Sequence, residues 1–188
     1  MNQTQRIAAI HPATATGKAK QLLDVVQAKM GMTPNMTKTM AAAPATLEAY
    51  LSFSTILASG TLTAKFREQI ALTVAQANSC EYCLSAHSTV GKMVGLAPDA
   101  IRAAREAHAT DPKQDAGLRF AQAVVVERGA VSDQAVAAVK AAGYTDGEIT
   151  EIIANVALNI FTNYFNNVAR TEVDFPKVNV TLAEPAHA

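Results

Sequence analysis

The chain has 188 residues, of which 49% are hydrophobic and only 17% are charged, and its 16 Lys and Arg balance its 16 Asp and Glu. This length favours one domain with a sizeable core, and we assign residues 1–188 to a single domain. The balanced charge, without a basic cluster, argues against a nucleic-acid partner, and the lack of a long apolar run argues against a membrane-spanning segment. The N-terminus lacks the basic start and apolar core of a signal peptide, so we expect a cytoplasmic protein.

Helix signals run along the whole chain. Aromatic residues make up only 5% of the sequence and strand-like alternation is almost absent, which predicts an all-α domain of antiparallel helices. A first helix is expected between a cap at Thr16 and a stop at Gly31. After residue 175, prolines and β-branched residues disfavour a helix, and we predict that residues 175–188 form an extended tail that packs across a neighbour. Apolar spacing and Pro, Ser and Thr punctuation place the other helices at about 34–40, 44–60, 62–77, 79–94, 98–107, 112–128, 132–142 and 145–170.

A weak internal repeat runs through the chain. A shift of 83 residues lays several residues of the first half on identical or similar residues of the second half. This pattern favours a domain built from a duplicated helical unit in which only the first copy retains sulfur. The aligned pairs include Glu68 with Glu151, Tyr82 with Phe165, Cys80 with Asn163, and Cys83 with Asn166.

The last predicted helix carries asparagines in an otherwise apolar setting. Their side chains either line a pocket opposite the cysteines or form hydrogen bonds across a subunit contact, and we favour the subunit contact. The small share of charged residues also favours a homo-oligomer, because little charged surface is available to cover the molecule. The asparagines in question are Asn159, Asn163, Asn166 and Asn167.

The only two cysteines, Cys80 and Cys83, are three positions apart, and His87 follows four positions after the second. In a reducing compartment such a pair indicates a catalytic, redox-active or metal-binding site rather than a structural disulfide. Asn78 and Ser79 both suit a helix N-cap. This cap would place Cys80 in the first helical turn and Cys83 at its end, where free amides and the helix dipole lower a thiol pKa. His87 would lie on the same helix face as Cys83, where its imidazole can take the thiol proton.

Glu68 is the third candidate, and it lies in an apolar segment that ends shortly before the cysteines. If the break at residues 78–79 folds this segment back beside the cysteine helix, the carboxylate can orient the imidazole of His87 and stabilise its charged form. A solvated glutamate on an exposed helix stripe is an equally good interpretation of the residue by itself.

The spacings of 12, 3 and 4 residues between these positions give the pattern Glu-(x)11-Cys-x-x-Cys-x-x-x-His. This pattern resembles the alkylhydroperoxidase D (AhpD)-like core of the carboxymuconolactone decarboxylase family. The resemblance covers the core region at residues 44–96, and residues 162–176 are similar to the ending of longer, peroxidase-related bacterial members. It implies an AhpD-like helical fold. The four residues of the pattern are Glu68, Cys80, Cys83 and His87.

The resemblance implies a role for each of these residues. Cys83 would be the peroxidatic thiol that attacks a hydroperoxide, and Cys80 the resolving thiol that then closes a disulfide. Glu68 and His87 would form the proton relay, without a metal or other cofactor. A lipoyl-bearing adaptor, a thioredoxin-like protein or a small thiol would reduce the disulfide, and the protein would assemble as trimers or hexamers. Alkylhydroperoxidase D has a second histidine directly before its second cysteine, where this chain has Tyr82.

Other functions compete with this one. Two thiolates and an imidazole are ligands that zinc accepts, so a metal-binding protein is one alternative. A thioredoxin-type oxidoreductase would need a strand before its CxxC motif, and the sequence predicts none. A decarboxylase acting on a lactone acid, the other activity of the family, has no evident use for a CxxC pair. A non-enzymatic helical oligomer with two buried cysteines is the remaining interpretation.

Overall fold

A computed structural model of the chain describes residues 4–182. In this part of the chain the secondary structure consists of nine α-helices without any β-strand, which confirms the predicted all-α, AhpD-like fold. The helices are α1 (Gly17–Met30), α2 (Asn35–Met40), α3 (Pro44–Ala58), α4 (Ala64–Ala77), α5 (Glu81–Met93), α6 (Pro98–Arg105), α7 (Pro112–Val126), α8 (Asp133–Ala141) and α9 (Asp146–Ala169).

Helix α4 lies at the centre of the fold. It packs against α5, α6, α7 and α9, and side chains on all sides of it are buried, as expected for a helix surrounded by neighbours. Ile70, Leu72 and Val74 have no exposed surface. Because α4 is enclosed in this way, it carries Glu68 to the side of α5, and the side chain of Glu68 is only 18% exposed.

Local signals fix the helix ends. Proline occupies the first turn of α3, α6 and α7, where its missing N–H is not needed. At the start of α9, the Thr145 hydroxyl accepts from the Glu148 N–H and the Glu148 carboxylate accepts from the Thr145 N–H, which is a capping box. These ends lie within a few residues of the predicted ones.

The turn between α4 and α5 differs from the prediction. Ser79 takes a left-handed conformation with φ 51°, and the N–H groups of Ser79 and Cys80 donate to carbonyls in the last turn of α4. This is a Schellman motif, which ends α4 and reverses the chain within one residue. Asn78 is therefore the C-cap of α4, and the N-cap of α5 is Cys80 itself. The predicted N-cap at Asn78 or Ser79 is wrong, although the predicted fold-back of α4 onto α5 is confirmed.

The chain after α9 is extended and packs on its own molecule. The Val178 N–H donates to the Ser85 hydroxyl of α5 at 3.0 Å, and Gln76 Nε2 of α4 donates to the Val180 carbonyl at 2.8 Å. Arg105 of α6 donates to the same carbonyl. The neighbour that residues 175–182 cover is thus the dithiol helix and its surroundings, and residues 183–188 of the predicted tail lie outside the described residues.

One face of α9 is apolar and exposed. Ile153, Phe161, Tyr164 and Val168 follow each other at helical spacing, and Tyr164 and Val168 are more than half exposed. An apolar stripe of this kind suits a contact with another subunit. Between residues 4 and 182, no helix has both the length and the apolar character needed to cross a bilayer.

The asparagines of α9 lie mainly on its buried face. Asn159, Asn163 and Asn166 are each at most 6% exposed within the single chain. They therefore do not reach a subunit contact, and the preferred interpretation of these residues was wrong. Asn167 is exposed, and its amide donates to the carbonyl of Asn78 in the α4–α5 turn.

Candidate active site

Cys80 and Cys83 are joined in a disulfide at the start of α5. Their Cα atoms are 5.3 Å apart, within the usual range for a disulfide. Cys80 Sγ accepts a hydrogen bond from the Cys83 N–H at 3.3 Å, so this sulfur caps the helix. Both residues are buried. Because they belong to one helical turn, the pair can open and close without displacing another helix.

Glu68 and His87 form a pair beside the disulfide. His87 Nδ1 lies 2.8 Å from Glu68 Oε2, and this contact joins α4 to α5. Both side chains are partly buried, which strengthens the interaction relative to a surface pair. A carboxylate at Nδ1 orients the ring and stabilises its protonated form. The solvated alternative for Glu68 is therefore wrong, and the contact expected between the two residues is present.

A cavity of about 280 Å³ opens beside the disulfide. Cys83, Glu68 and His87 all line it, whereas Cys80 does not. The cavity thus brings one sulfur of the dithiol together with the imidazole and the carboxylate. Much of the remaining wall is apolar, including Met30, Met36, Leu57, Val90, Leu158 and Phe175.

Asn166 of α9 contacts the dithiol from the side opposite α4. Its Nδ2 lies 3.3 Å from Cys83 Sγ and 3.2 Å from Met36 Sδ. Sequence reasoning missed this role, although the shift of 83 residues pairs Asn166 with Cys83. The signal was present, and the subunit interpretation of the asparagines concealed it.

Tyr82, between the two cysteines, faces away from the relay. Its hydroxyl donates to Asp174 Oδ1 at 2.9 Å and accepts from the Met36 N–H at 3.1 Å. Asp174 Oδ2 also accepts from the Asn35 N–H at 2.7 Å. Burial raises the pKa of Tyr82, and the charge of Asp174 adds to this although the bond from Met36 opposes it, so the hydroxyl stays protonated. Tyr82 therefore anchors the extended tail and α2 to the dithiol helix.

Tyr50 of α3 is a further polar group on the cavity wall that the sequence gave no means to find. Burial, followed by the negative charge of Glu68, raises the pKa of Tyr50 to about 12. Its hydroxyl is consequently a neutral group at physiological pH, able to donate a hydrogen bond to a molecule in the cavity.

The described residues also bear on the metal-binding alternative. In the stretch 4–182, no three His, Cys, Asp or Glu side chains converge in a way that could hold a metal ion. His87, the third zinc ligand in that alternative, directs Nδ1 to Glu68 instead.

Fold and site together define a class of protein, namely an all-helical domain with a CxxC disulfide at the start of one helix and a Glu–His pair beside it. Residues 44–127 match the model of the Carboxymuconolactone decarboxylase family, and the chain belongs to this family, as its sequence pattern indicates. No curated protein matches the chain.

Solved structures with the same fold cover almost the whole chain. A peroxidase-related protein from Ralstonia eutropha JMP134, described as an alkylhydroperoxidase AhpD core, superposes with a TM-score of 0.82 and 26% identity over 93% of this chain and 94% of that one. A peroxidase-related protein from Silicibacter sp. TM1040 has a TM-score of 0.79 and 21% identity over 90% and 92%. The debrominase Bmp8, as a variant in complex with 2,3,4-tribromopyrrole, has a TM-score of 0.78 and 18% identity over 93% and 94%.

Proposed function

We propose that the protein is a thiol-dependent peroxidase that reduces hydroperoxides through Cys83 and Cys80. The observation that carries this proposal is the cavity in which the Cys83 sulfur, already in a disulfide with Cys80, meets the Glu68–His87 pair. A redox dithiol, a proton carrier and a space for substrate are the parts that such a reaction needs. The peroxidase-related proteins of the same fold support the same function.

The first step is oxidation of Cys83. In the reduced protein, the Cys83 thiol gives its proton to His87, and Glu68 stabilises the resulting imidazolium. The thiolate attacks the terminal oxygen of the hydroperoxide, so that an S–O bond forms as the O–O bond breaks. The alkoxide leaves with the proton from His87 as an alcohol, and the sulfur, oxidised by two electrons, becomes a sulfenic acid.

The second step returns the protein to the disulfide. The Cys80 thiolate attacks the sulfenic sulfur of Cys83, and the hydroxyl group leaves as water once it takes up a proton. The Cys83 N–H, which donates to Cys80 Sγ, favours the thiolate of Cys80 needed for this attack. An external dithiol then reduces the disulfide by exchange. A lipoyl-bearing adaptor, a thioredoxin-like protein or a small thiol of the cytoplasm fits this role.

The cavity favours an organic hydroperoxide over hydrogen peroxide. Its volume of about 280 Å³ far exceeds the roughly 30 Å³ that one water molecule occupies in the liquid. Leu57, Val90 and Leu158 give it apolar walls that would bind the organic part of the substrate.

A homo-oligomer, as a trimer or hexamer, is part of this proposal. The support for it is the apolar stripe on α9, where Phe161, Tyr164 and Val168 are exposed to solvent in the single chain. Burial of this stripe against another subunit would remove it from water.

The function is tested by treating the reduced protein with one equivalent of tert-butyl hydroperoxide and mapping the thiols by mass spectrometry. We expect a Cys80–Cys83 disulfide in the wild type, a sulfenic acid on Cys83 in Cys80→Ser, and an unreactive residue 80 thiol in Cys83→Ser. His87→Ala should slow the oxidation by roughly a hundredfold or more.

A matched control is His108→Ala. His108 also pairs with a carboxylate, Asp115 Oδ1 at 3.1 Å, but it is exposed and does not line the cavity. This variant should oxidise at the wild-type rate. Thiols that remain unmodified by peroxide in a protein purified with one equivalent of zinc would replace the peroxidase with the metal-binding alternative.

A further inference from the structure

Only half of the Asn166 side-chain amide is used by the protein. Nδ2 contacts Cys83 Sγ, but Oδ1 is buried and accepts no hydrogen bond from any residue in the range 4–182. The side chain is only 3% exposed and it lines the cavity. Buried polar atoms without a partner are rare in proteins, so this oxygen calls for a donor that is not part of the chain.

The orientation of the amide follows from its neighbours. Cys83 Sγ and Met36 Sδ are both acceptors, so the NH₂ group of Asn166 must face them. The opposite orientation would set a carbonyl oxygen against the lone pairs of two sulfur atoms. The unpaired Oδ1 is therefore available to the contents of the cavity.

The position of Asn166 is fixed independently of the dithiol. It lies on α9, which packs against both α4 and α5. The next residue, Asn167, donates to the Asn78 carbonyl at 3.0 Å, and this contact ties α9 to the turn that precedes the cysteines. Reduction of the disulfide leaves these contacts in place, so the amide stays beside Cys83 in both redox states.

We propose that Asn166 is a catalytic residue that holds both reactants with one amide: its N–H donates to the Cys83 thiolate, and its Oδ1 accepts the O–H of the bound hydroperoxide. This inference rests on the proposed peroxidase function. In the step described above, the oxygen that Oδ1 holds is the terminal one, which forms the S–O bond when the O–O bond breaks. The proton on that oxygen stays with it and becomes the hydroxyl of the sulfenic acid. Asn166 itself is neither oxidised nor deprotonated.

The donor half of the proposal is tested without peroxide, in a Cys80→Ser background that leaves Cys83 as the single thiol. Rates of alkylation by iodoacetamide across a pH series give the midpoint of thiolate formation. Asn166→Ala should raise this midpoint by roughly one to two pH units, because a hydrogen bond to the charged sulfur is lost. Asn166→Asp, which keeps the shape of the side chain, should raise it further through the added negative charge.

Asn163→Ala is the matched control. Asn163 lies one turn earlier on α9 and is completely buried, but it contacts Asn78 rather than sulfur and does not line the cavity. Its loss should leave the midpoint unchanged. Equal midpoints for Asn166→Ala, Asn166→Asp and the parent protein would overturn the donor role. If Asn166→Ala does not fold, the shift in Asn166→Asp decides the same question.

The acceptor half is tested with tert-butyl hydroperoxide at a pH above all the midpoints, where every variant is a thiolate. Asn166→Ala should then still react roughly tenfold more slowly than the Cys80→Ser parent, because the hydroperoxide loses one hydrogen bond. Equal rates would overturn the acceptor role. If the parent itself does not react with the peroxide, the peroxidase function and the acceptor role both fail, while the titration still judges the contact between Asn166 and Cys83.

Discussion

Two segments of the chain, residues 64–93 and residues 146–169, place polar groups at positions related by the shift of 83 residues, but they use these groups differently. In the first, Glu68 faces an imidazole and two sulfurs that can exchange protons and electrons. In the second, Glu151 accepts hydrogen bonds from the backbone amides of Thr61 and Leu62. The first segment thus carries ionisable groups around a cavity, and the second holds the scaffold with fixed hydrogen bonds.

The difference follows from the backbone. The first segment is broken at Ser79, so the cysteines stand at the start of a helix, where Cys80 receives a backbone N–H that no carbonyl uses. The corresponding positions in the second segment lie inside one uninterrupted helix, α9. Backbone N–H groups there are already bonded within the helix, so Asn163 and Asn166 interact only through their side chains. The repeat in the sequence therefore has no counterpart in the helix pattern at this point, and a duplicated unit remains a prediction.

The largest effect is expected at the sulfur of the first segment. Cys83→Ser should reduce hydroperoxide consumption in the presence of excess dithiol to the uncatalysed rate, because the serine hydroxyl is not ionised at neutral pH. Asn163→Ala, at a buried position of the second segment, should retain the wild-type rate. Comparable losses in both variants would mean that the two segments are not divided into chemistry and scaffold.

The next effect concerns the carboxylate beside the imidazole. Glu68→Gln keeps the size of the side chain but removes the charge that stabilises protonated His87. The rate of Cys83 oxidation should fall by roughly a hundredfold, measured in a single turnover by stopped flow. Urea unfolding should show little change in stability. A rate equal to that of the wild type would remove Glu68 from the relay.

A smaller effect is expected at Tyr82, whose partner under the shift of 83 residues is Phe165. Tyr82→Phe removes the hydroxyl that bonds Asp174 and the Met36 N–H. Because a buried N–H then loses its partner, stability should fall by about 1–2 kcal/mol in urea unfolding. Hydroperoxide reduction at saturating dithiol should change little. A loss of activity without a loss of stability would instead place Tyr82 in the relay, at the position of the second histidine of alkylhydroperoxidase D.

The smallest effect is expected at Glu151. Burial alone would raise the pKa of Glu151, but hydrogen bonds from Thr61 and Leu62 and the charge of Arg67 outweigh it, so the pKa is lowered from its ordinary value of 4.5. The ionised carboxylate therefore stabilises the fold at neutral pH, and this contribution disappears as the pH falls below 4.5 and through the lowered pKa.

Glu151→Gln should cost about 1 kcal/mol at pH 7 and progressively less in acid. Urea unfolding of the wild type and the variant across a pH series measures the difference. The oxidation rate of Cys83 should be unchanged. A stability difference that grows towards low pH would contradict the assigned sign, and a loss of activity would contradict the division between the two segments.

Much of the fold was predictable because its signals are local. Proline at helix starts, the capping box at Thr145 and Glu148, and helical spacing of apolar residues all act within a few positions of the chain. The motif of Glu68, Cys80, Cys83 and His87 was likewise visible as a spacing. The start of α5 was misplaced because Ser79 takes a left-handed conformation that its residue type does not announce.

The sequence by itself determined the helices, the two thiols and the residues able to move a proton, since these depend on residue type and short-range spacing. Only the tertiary structure decided which side chains meet. The packing of α4 against α5 joined Glu68 to His87, and the packing of α9 brought the Asn166 amide to Cys83 across 83 positions of the chain. Contacts between distant segments depend on how all the buried faces fit together at once, and no local pattern carries that information.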